Sequence, residues 1–170
     1  LPRLAEKLHL KYLWLKDESR NPTASFKDRA SAIVVTRAQE LRSEIIVTAS
    51  TGNAGAALAG MSAAVGQKAI IFAPKSAPQA KVAQLLIFGA KVILVDGTYD
   101  DAFDLTVKAS QEFGWYCRNT GYNPFTVEGK KTAGFEIWEW WIETHRDWHK
   151  KDSTLDDHAP LTIFVSVGDG

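Results

Sequence analysis

Two short stretches of this chain set chemistry-bearing residues at helix entrances. Ser25-Phe26-Lys27-Asp28-Arg29 puts a lysine at the start of a predicted helix. Ser50-Thr51-Gly52-Asn53 follows a β-branched apolar run and opens an Ala-rich helical stretch. An amine beside helix N-terminal amides is suited to carry an aldehyde as a Schiff base, because the dipole and any burial favour the neutral nucleophile. A strand–turn–helix N-terminus is suited to bind an anion. The plain alternative for the first stretch is an Asn21-Pro22 turn, a Ser25 cap and a solvated Lys27, although a cation in the first turn opposes the dipole. For Thr48 to Gly55 the plain alternative is a tight turn whose glycine serves only the backbone. That turn is not G-x-G-x-x-G, so a dinucleotide reading is weak. Its amides, the Ser50 and Thr51 hydroxyls and the Asn53 side chain can together hold a carboxylate and a phenolic oxygen.

The elements that must position these residues alternate. Lys11 to Lys16 alternates in β fashion, and a helix is predicted from Asp28 to Leu41. Ile45 to Ala49 reads as a buried strand, and Asn53 to Val65, nearly all Ala, Gly, Leu and Met, as a helix buried on several sides. Then come Ala69 to Phe72 as strand, stopped by Pro74, and Gln79 to Phe88 as helix, ended by Gly89. Val92 to Val95 reads as strand, Tyr99 to Phe113 as helix and Trp115 to Cys117 as strand. Four strands with three intervening helices between Glu44 and Arg118 predict a compact parallel α/β unit. An aromatic helix from Val127 to Glu143, an exposed polar loop from His145 to His158 and a strand from Leu161 to Val167 are expected to follow. The expected domain division is 44–122 as a smaller α/β domain and 1–43 with 123–170 as parts of a larger one.

Composition narrows the partners. Twenty Lys and Arg balance twenty Asp and Glu, with no basic run beyond Lys130-Lys131 or Lys150-Lys151, so nucleic acid and anionic membrane are poor partners. The single cysteine, Cys117, excludes an internal disulfide and fits a reducing, cytoplasmic setting. No apolar stretch approaches the ~20 residues needed to span a bilayer. The chain opens on Leu1, and its last residues leave an apolar run for a glycine turn, so a fragment, incomplete at the C-terminus, is expected.

Four ordered motifs then carry a resemblance: Asn21-Pro22-Thr23-Ala24-Ser25-Phe26-Lys27-Asp28-Arg29, Ser50-Thr51-Gly52-Asn53, Asn123-Pro124-Phe125-Thr126-Val127-Glu128-Gly129-Lys130-Lys131-Thr132 and Val167-Gly168-Asp169-Gly170. Together they span nearly the whole chain and resemble the fold type II pyridoxal-phosphate enzymes, the threonine synthases most closely. That resemblance implies a three-layer parallel α/β sandwich of the tryptophan synthase β kind. It implies pyridoxal 5'-phosphate as cofactor, an amino-acid substrate and a possible homodimer. Lys27 would be the catalytic Schiff-base lysine, and Asn53 would face the cofactor's ring oxygen. Ser50, Thr51, Gly52, Asn53 and Ala54 would hold the substrate carboxylate. Gly168, Asp169 and Gly170 would begin the cofactor phosphate loop, while Asn119 and Thr120 would face the substrate. The implied reaction converts O-phosphohomoserine to threonine and phosphate. A serine or threonine dehydratase, or a β-replacing synthase such as cysteine synthase, is the alternative on this fold, and an inactive α/β binding module is the non-enzymatic one. The chain of 170 residues alone is expected to retain the cofactor weakly and to turn nothing over.

Two positions depart from that pattern. Ala24 stands where the resemblance expects glycine, and Thr126 where some threonine synthases place an arginine for the substrate phosphate. His145 and His149 have metal-compatible helical spacing, but no adjacent Glu and no third ligand, so no metal site is expected. The run Phe135, Trp138, Trp140, Trp141 and Trp148 is expected to be helix packing, and Cys117 a core residue.

Overall fold

The computed structural model describes residues 1–151 and 161–166; for residues 145–151 it describes the helical backbone alone. Gly168, Asp169 and Gly170 lie outside the described residues. The β-branched and apolar runs form four strands: β1 (Ile45–Ala49), β2 (Lys68–Pro74), β3 (Lys91–Val95) and β4 (Tyr116–Cys117). All pairings are parallel and the spatial order is β3-β2-β1-β4. A parallel sheet must be covered on both faces, and the alternation within β1 and β2 provides for that. Ile46, Ala69 and Ile71 point to one core, built with Val34, Val35, Ala38, Leu58 and Leu85. Val47, Ile70 and Phe72 point to the other, with Ala102, Ala109 and Cys117.

The helices follow the predicted order. They are α1 (Pro2–Lys7), α2 (Lys27–Glu40), α3 (Asn53–Ala64), α4 (Gln79–Ile87), α5 (Tyr99–Phe113) and α6 (Phe125–Lys151). The first core lies under α2, α3 and α4, and the second under α5, which makes three layers. α5 has a reciprocal cap: the Thr98 hydroxyl accepts from the Asp101 amide at 3.2 Å and the Asp101 carboxylate accepts from the Thr98 amide at 2.7 Å. It ends at Gly114, whose left-handed φ of 67° suits glycine.

Three expectations are corrected. Lys11 to Lys16 forms no strand. Tyr12 and Trp14 do share a face, with rings 5.4 Å apart, but Trp14 rests edge-on against Trp140 of α6 at 5.1 Å instead of joining a ladder. Residues 161–166 form no strand either, since no described segment pairs with them, and Phe164 is 90% exposed. The stretch from His145 does not begin a loop. Through Lys151 it continues α6, with no Gly or Pro to interrupt it, and residues 152–158 of the expected loop lie outside the described residues. His149 therefore lies on the same helix as His145. Packing of the aromatic run is met at Trp140 and Trp141, 6.3 Å apart, whereas Phe135 and Trp138 are exposed. α1 had no counterpart in the sequence reading.

α2 is clamped at its first turn. The Arg29 guanidinium donates to both Glu18 oxygens at 2.7 and 3.0 Å, to Glu136 of α6 at 2.6 and 2.7 Å, and to the Thr132 hydroxyl at 3.0 Å. Lys16 bridges the same two carboxylates. Arg29's hydrogen bonds hold both Glu18 and Glu136 down to about 2. Behind this clamp the two helices cross at Gly129. A Cβ there would sit 2.3 Å from the Arg29 carbonyl oxygen and 2.7 Å from the Ala30 Cα. The glycine of the Glu128-Gly129-Lys130 motif is thus required by a backbone-to-backbone approach just behind Lys27.

Candidate active site

Strand order locates a crevice before any side chain is considered. The chain steps outward from β1 to β2 to β3 and then returns to place β4 on the other side of β1. In open parallel sheets, ligands bind beyond the carboxyl ends of the strands at such a reversal. The carboxyl end of β1 leads into Ser50-Thr51-Gly52-Asn53, and that of β4 into Arg118-Asn119-Thr120. α2 reaches the same edge. It packs on the sheet and enters β1 through only residues 41–44, so it runs antiparallel to β1 with Lys27 at the carboxyl edge. A direct contact agrees with this, because Arg118 donates to the hydroxyl of Ser31, one helical turn from Lys27, at 3.4 Å.

Lys27 is the first residue of α2 and is half-buried. Its own amide donates to the Ser25 hydroxyl at 3.2 Å. Among the described residues its ammonium has neither a hydrogen-bond acceptor nor a carboxylate partner. The turn before it is held by the buried Asp28, whose carboxylate accepts from the Thr23 amide at 2.7 Å and also binds the Thr23 hydroxyl. Asn21 adds donations to Glu18 at 2.7 Å and to the Ser25 carbonyl at 3.1 Å.

Ala24 pays for the shape of that turn, with φ at 58° in the left-handed region. A Cβ there costs roughly 1–2 kcal/mol. Ala24→Gly removes that strain but loosens the unfolded chain by roughly 0.4–1 kcal/mol. The net expectation is a gain of about 0.5–1 kcal/mol in denaturant unfolding, with the Lys27 turn unchanged. This gives a physical basis to the glycine expected at that position.

The Ser50 turn is self-supporting. Ser50 is buried, and its hydroxyl accepts from the amides of Gly55 at 2.8 Å and Gly52 at 3.1 Å. That hydroxyl is therefore used in shaping the loop. Gly55 packs closely on this hydroxyl, since a Cβ there would lie 3.1 Å from the Ser50 Cβ and would have to push its neighbours aside by a few tenths of an ångström. The amides of Thr51, Asn53 and Ala54 have no acceptor among the described residues, so three donors face outward at the start of α3. Thr51 and Asn53 are exposed there and Ala54 half-buried. The Asn53 carbonyl oxygen accepts from the ammonium of Lys81 of α4 at 2.9 Å, which leaves its amide nitrogen as the outward donor.

Asn119 closes the reversal point. Buried at 1% exposure, its carbonyl oxygen accepts from the Ala49 amide at 2.7 Å and the Thr48 hydroxyl at 3.1 Å, tying β4 to β1. Its amide nitrogen has no partner. Asn123 supports the loop by donating to the Cys117 carbonyl at 2.8 Å and accepting from the Phe125 amide at 2.9 Å. Thr126 is fully buried and donates to the Asn123 carbonyl at 2.7 Å. Arg118 and Lys81 had no role in the sequence reading, and Asn123 entered it only as the start of the Asn123-Pro124 motif. The one signal for Arg118 was a charge directly following a buried strand. Cys117 is free and buried, as expected, and burial pushes its thiol up.

These features fit a flat anionic aldehyde cofactor: an unpartnered amine, three free helix-start amides, a carboxamide with an orphaned buried donor, and open space where a Gly52 Cβ would stand. The family model described as "Pyridoxal-phosphate dependent enzyme" matches residues 1–170. The chain belongs to that family. Its architecture is that of a fold type II pyridoxal-phosphate enzyme, and the family's cofactor is pyridoxal 5'-phosphate.

The threonine synthase of Methanocaldococcus jannaschii is 46% identical over 135 residues, covering 79% of this chain and 33% of that protein. That of Methanosarcina acetivorans is 44% identical over 136 residues, again covering 79% and 33%. Among solved structures, the diaminopropionate ammonia lyase from Escherichia coli, in complex with an aminoacrylate-PLP azomethine reaction intermediate, superposes with a TM-score of 0.76 at 27% identity. That match covers 85% of this chain and 43% of that one. The processed form of threonine deaminase isoform 2 from Solanum lycopersicum gives 0.71 at 25% identity, covering 80% and 38%. This family member spans about a third of the length of its curated relatives. Among its described residues no helix is long and apolar enough to cross a membrane.

Proposed function

We propose that this protein is a pyridoxal-phosphate-dependent lyase of the threonine synthase kind, acting on O-phosphohomoserine and water to give threonine and phosphate. The observation that carries the reading is the unpartnered Lys27 amine at the same sheet edge as the free α3 amides. Lys27 would hold the cofactor through its Nζ and would move protons at the substrate's carbons from the same atom. The cofactor, when bound, supplies the electron sink. Asn53, its carbonyl held by Lys81, would offer its Nδ2 as a donor to the cofactor ring. The amides of Thr51, Asn53 and Ala54 receive the substrate carboxylate on the loop that Ser50 and Gly52 shape. Asn119 and Thr120 would face the substrate from the β4 side, and Gly168, Asp169 and Gly170 would help to hold the cofactor phosphate.

A dehydratase on the same fold is the second reading, favoured by the likeness to threonine deaminase and diaminopropionate ammonia lyase structures. The threonine synthase relatives, at higher identity, favour the first. Product analysis separates the two. The native-length protein loaded with pyridoxal phosphate is expected to release equal amounts of threonine and phosphate from O-phosphohomoserine. Ammonia and a keto acid from serine or threonine, with no phosphate release from O-phosphohomoserine, would select the dehydratase.

A further inference from the structure

The site leaves one strongly charged group unexplained. Arg118 is 1% exposed, the largest side chain buried to that degree among the described residues. It lies between the end of β4 and the second turn of α2. Its Nε donates to the Ser31 hydroxyl at 3.4 Å and its Nη1 to the Thr120 hydroxyl at 3.1 Å, while Nη2 has no partner. Among the described residues no carboxylate lies within ion-pair reach of it. Burial pulls its guanidinium down to about 10, which is the signature of a charge without a counter-ion. Proteins seldom retain such a charge for stability, since well-packed apolar replacements of buried charges are often neutral or stabilising. A cation kept at that cost at a sheet's ligand-binding edge points to an anion that arrives with a ligand.

Thr120 shows how the charge is transmitted. Its oxygen accepts from Nη1, so its own proton is directed elsewhere, and Thr120 is the half-buried residue of the β4 end, next to Asn119. A hydroxyl that accepts from a cation is a stronger donor to an anion. Asn119, whose buried Nδ2 lacks a partner, is a second unsatisfied donor in the same loop.

We propose that Arg118 is a positioning residue for an anionic group of the bound amino acid, acting through the Thr120 hydroxyl, whose proton it directs into the crevice. The inference rests on the functional reading above and adds the charge that selects an anionic substrate.

The test uses native-length protein loaded with pyridoxal phosphate, so that the cofactor's own phosphate site is occupied, and inorganic phosphate as the probe in calorimetry. In Arg118→Met, phosphate affinity is expected to fall roughly tenfold and KM for O-phosphohomoserine to rise by the same factor, with kcat changed less than about twofold. The same variant is expected to melt at the parental temperature or higher. Thr120→Val should lose the same phosphate affinity with Arg118 in place, and Arg118→Lys should recover part of it. An Arg118→Met protein with a lowered melting temperature and unchanged phosphate affinity would make Arg118 purely structural and overturn the proposal. So would an unchanged affinity in Thr120→Val, or no phosphate binding by the parent. Phosphate binding that depends on Arg118, without turnover of O-phosphohomoserine, rejects the reaction and keeps the positioning role. Turnover with affinity independent of Arg118 does the reverse.

Discussion

Lys27→Ala is expected to leave the protein folded and to remove both the visible absorbance of bound pyridoxal phosphate and catalysis. The Lys27 ammonium has no partner among the described residues, and alanine is a better helix former. Unfolding free energy should therefore move by no more than about 0.5 kcal/mol. Turnover should fall by roughly 10²–10⁴-fold or more, because the residue proposed to hold the cofactor would also move the protons. Absorbance and activity measured beside a denaturant melt check all three. Lost activity together with lost stability would instead mark Lys27 as a structural residue.

Gly129→Ala should produce the largest stability effect of any glycine-to-alanine change among the described residues. Its Cβ would stand 2.3 Å from a backbone oxygen of α2, and backbone cannot step aside as a flexible side chain can. Overpacking of this kind costs typically 1–3 kcal/mol, and a backbone clash belongs at the upper end, at about 3 kcal/mol. Moving α2 away from α6 also strains the Arg29 clamp, two residues from Lys27, so cofactor retention should weaken as well. Gly134→Ala on the same helix is the control. Nothing lies within 4 Å of its Cβ, so the change should stabilise by about 0.5–1 kcal/mol. Equal effects of the two substitutions would contradict the crossing.

The middle of the fold was legible because its signals are local. Ile45 to Ala49 and Ala69 to Phe72 are β-branched runs bounded by turn residues, and each found its parallel partner. Tyr99 to Phe113 carried its cap and its terminal glycine in the sequence itself. Segments whose state depends on distant partners were not legible. The alternation at Lys11 to Lys16 marks a shared aromatic face but cannot say whether a strand or α6 covers it. The extent of α6 past His145 was misjudged because polarity was read as loop, although a helix needs an apolar stripe only where it packs.

In the site, the motif positions were visible as a pattern, but their individual duties were not. Ser50 spends its hydroxyl on the Gly52 and Gly55 amides, a use that only the folded turn reveals. Gly129 carries its motif for a crossing 100 residues from its partner in sequence. Arg118 carried no assignment in the sequence, and only its burial and its orphaned Nη2 make it significant.

The central claim is that Lys27 covalently holds pyridoxal phosphate. Its most direct test is to incubate the native-length protein with the cofactor, reduce with borohydride, digest, and locate the pyridoxyl mass by tandem mass spectrometry. The expected result is one modified site, Lys27, in the peptide that contains Ser25 and Phe26. Modification at Lys81, Lys130 or scattered surface lysines, with Lys27 unlabelled, would contradict it.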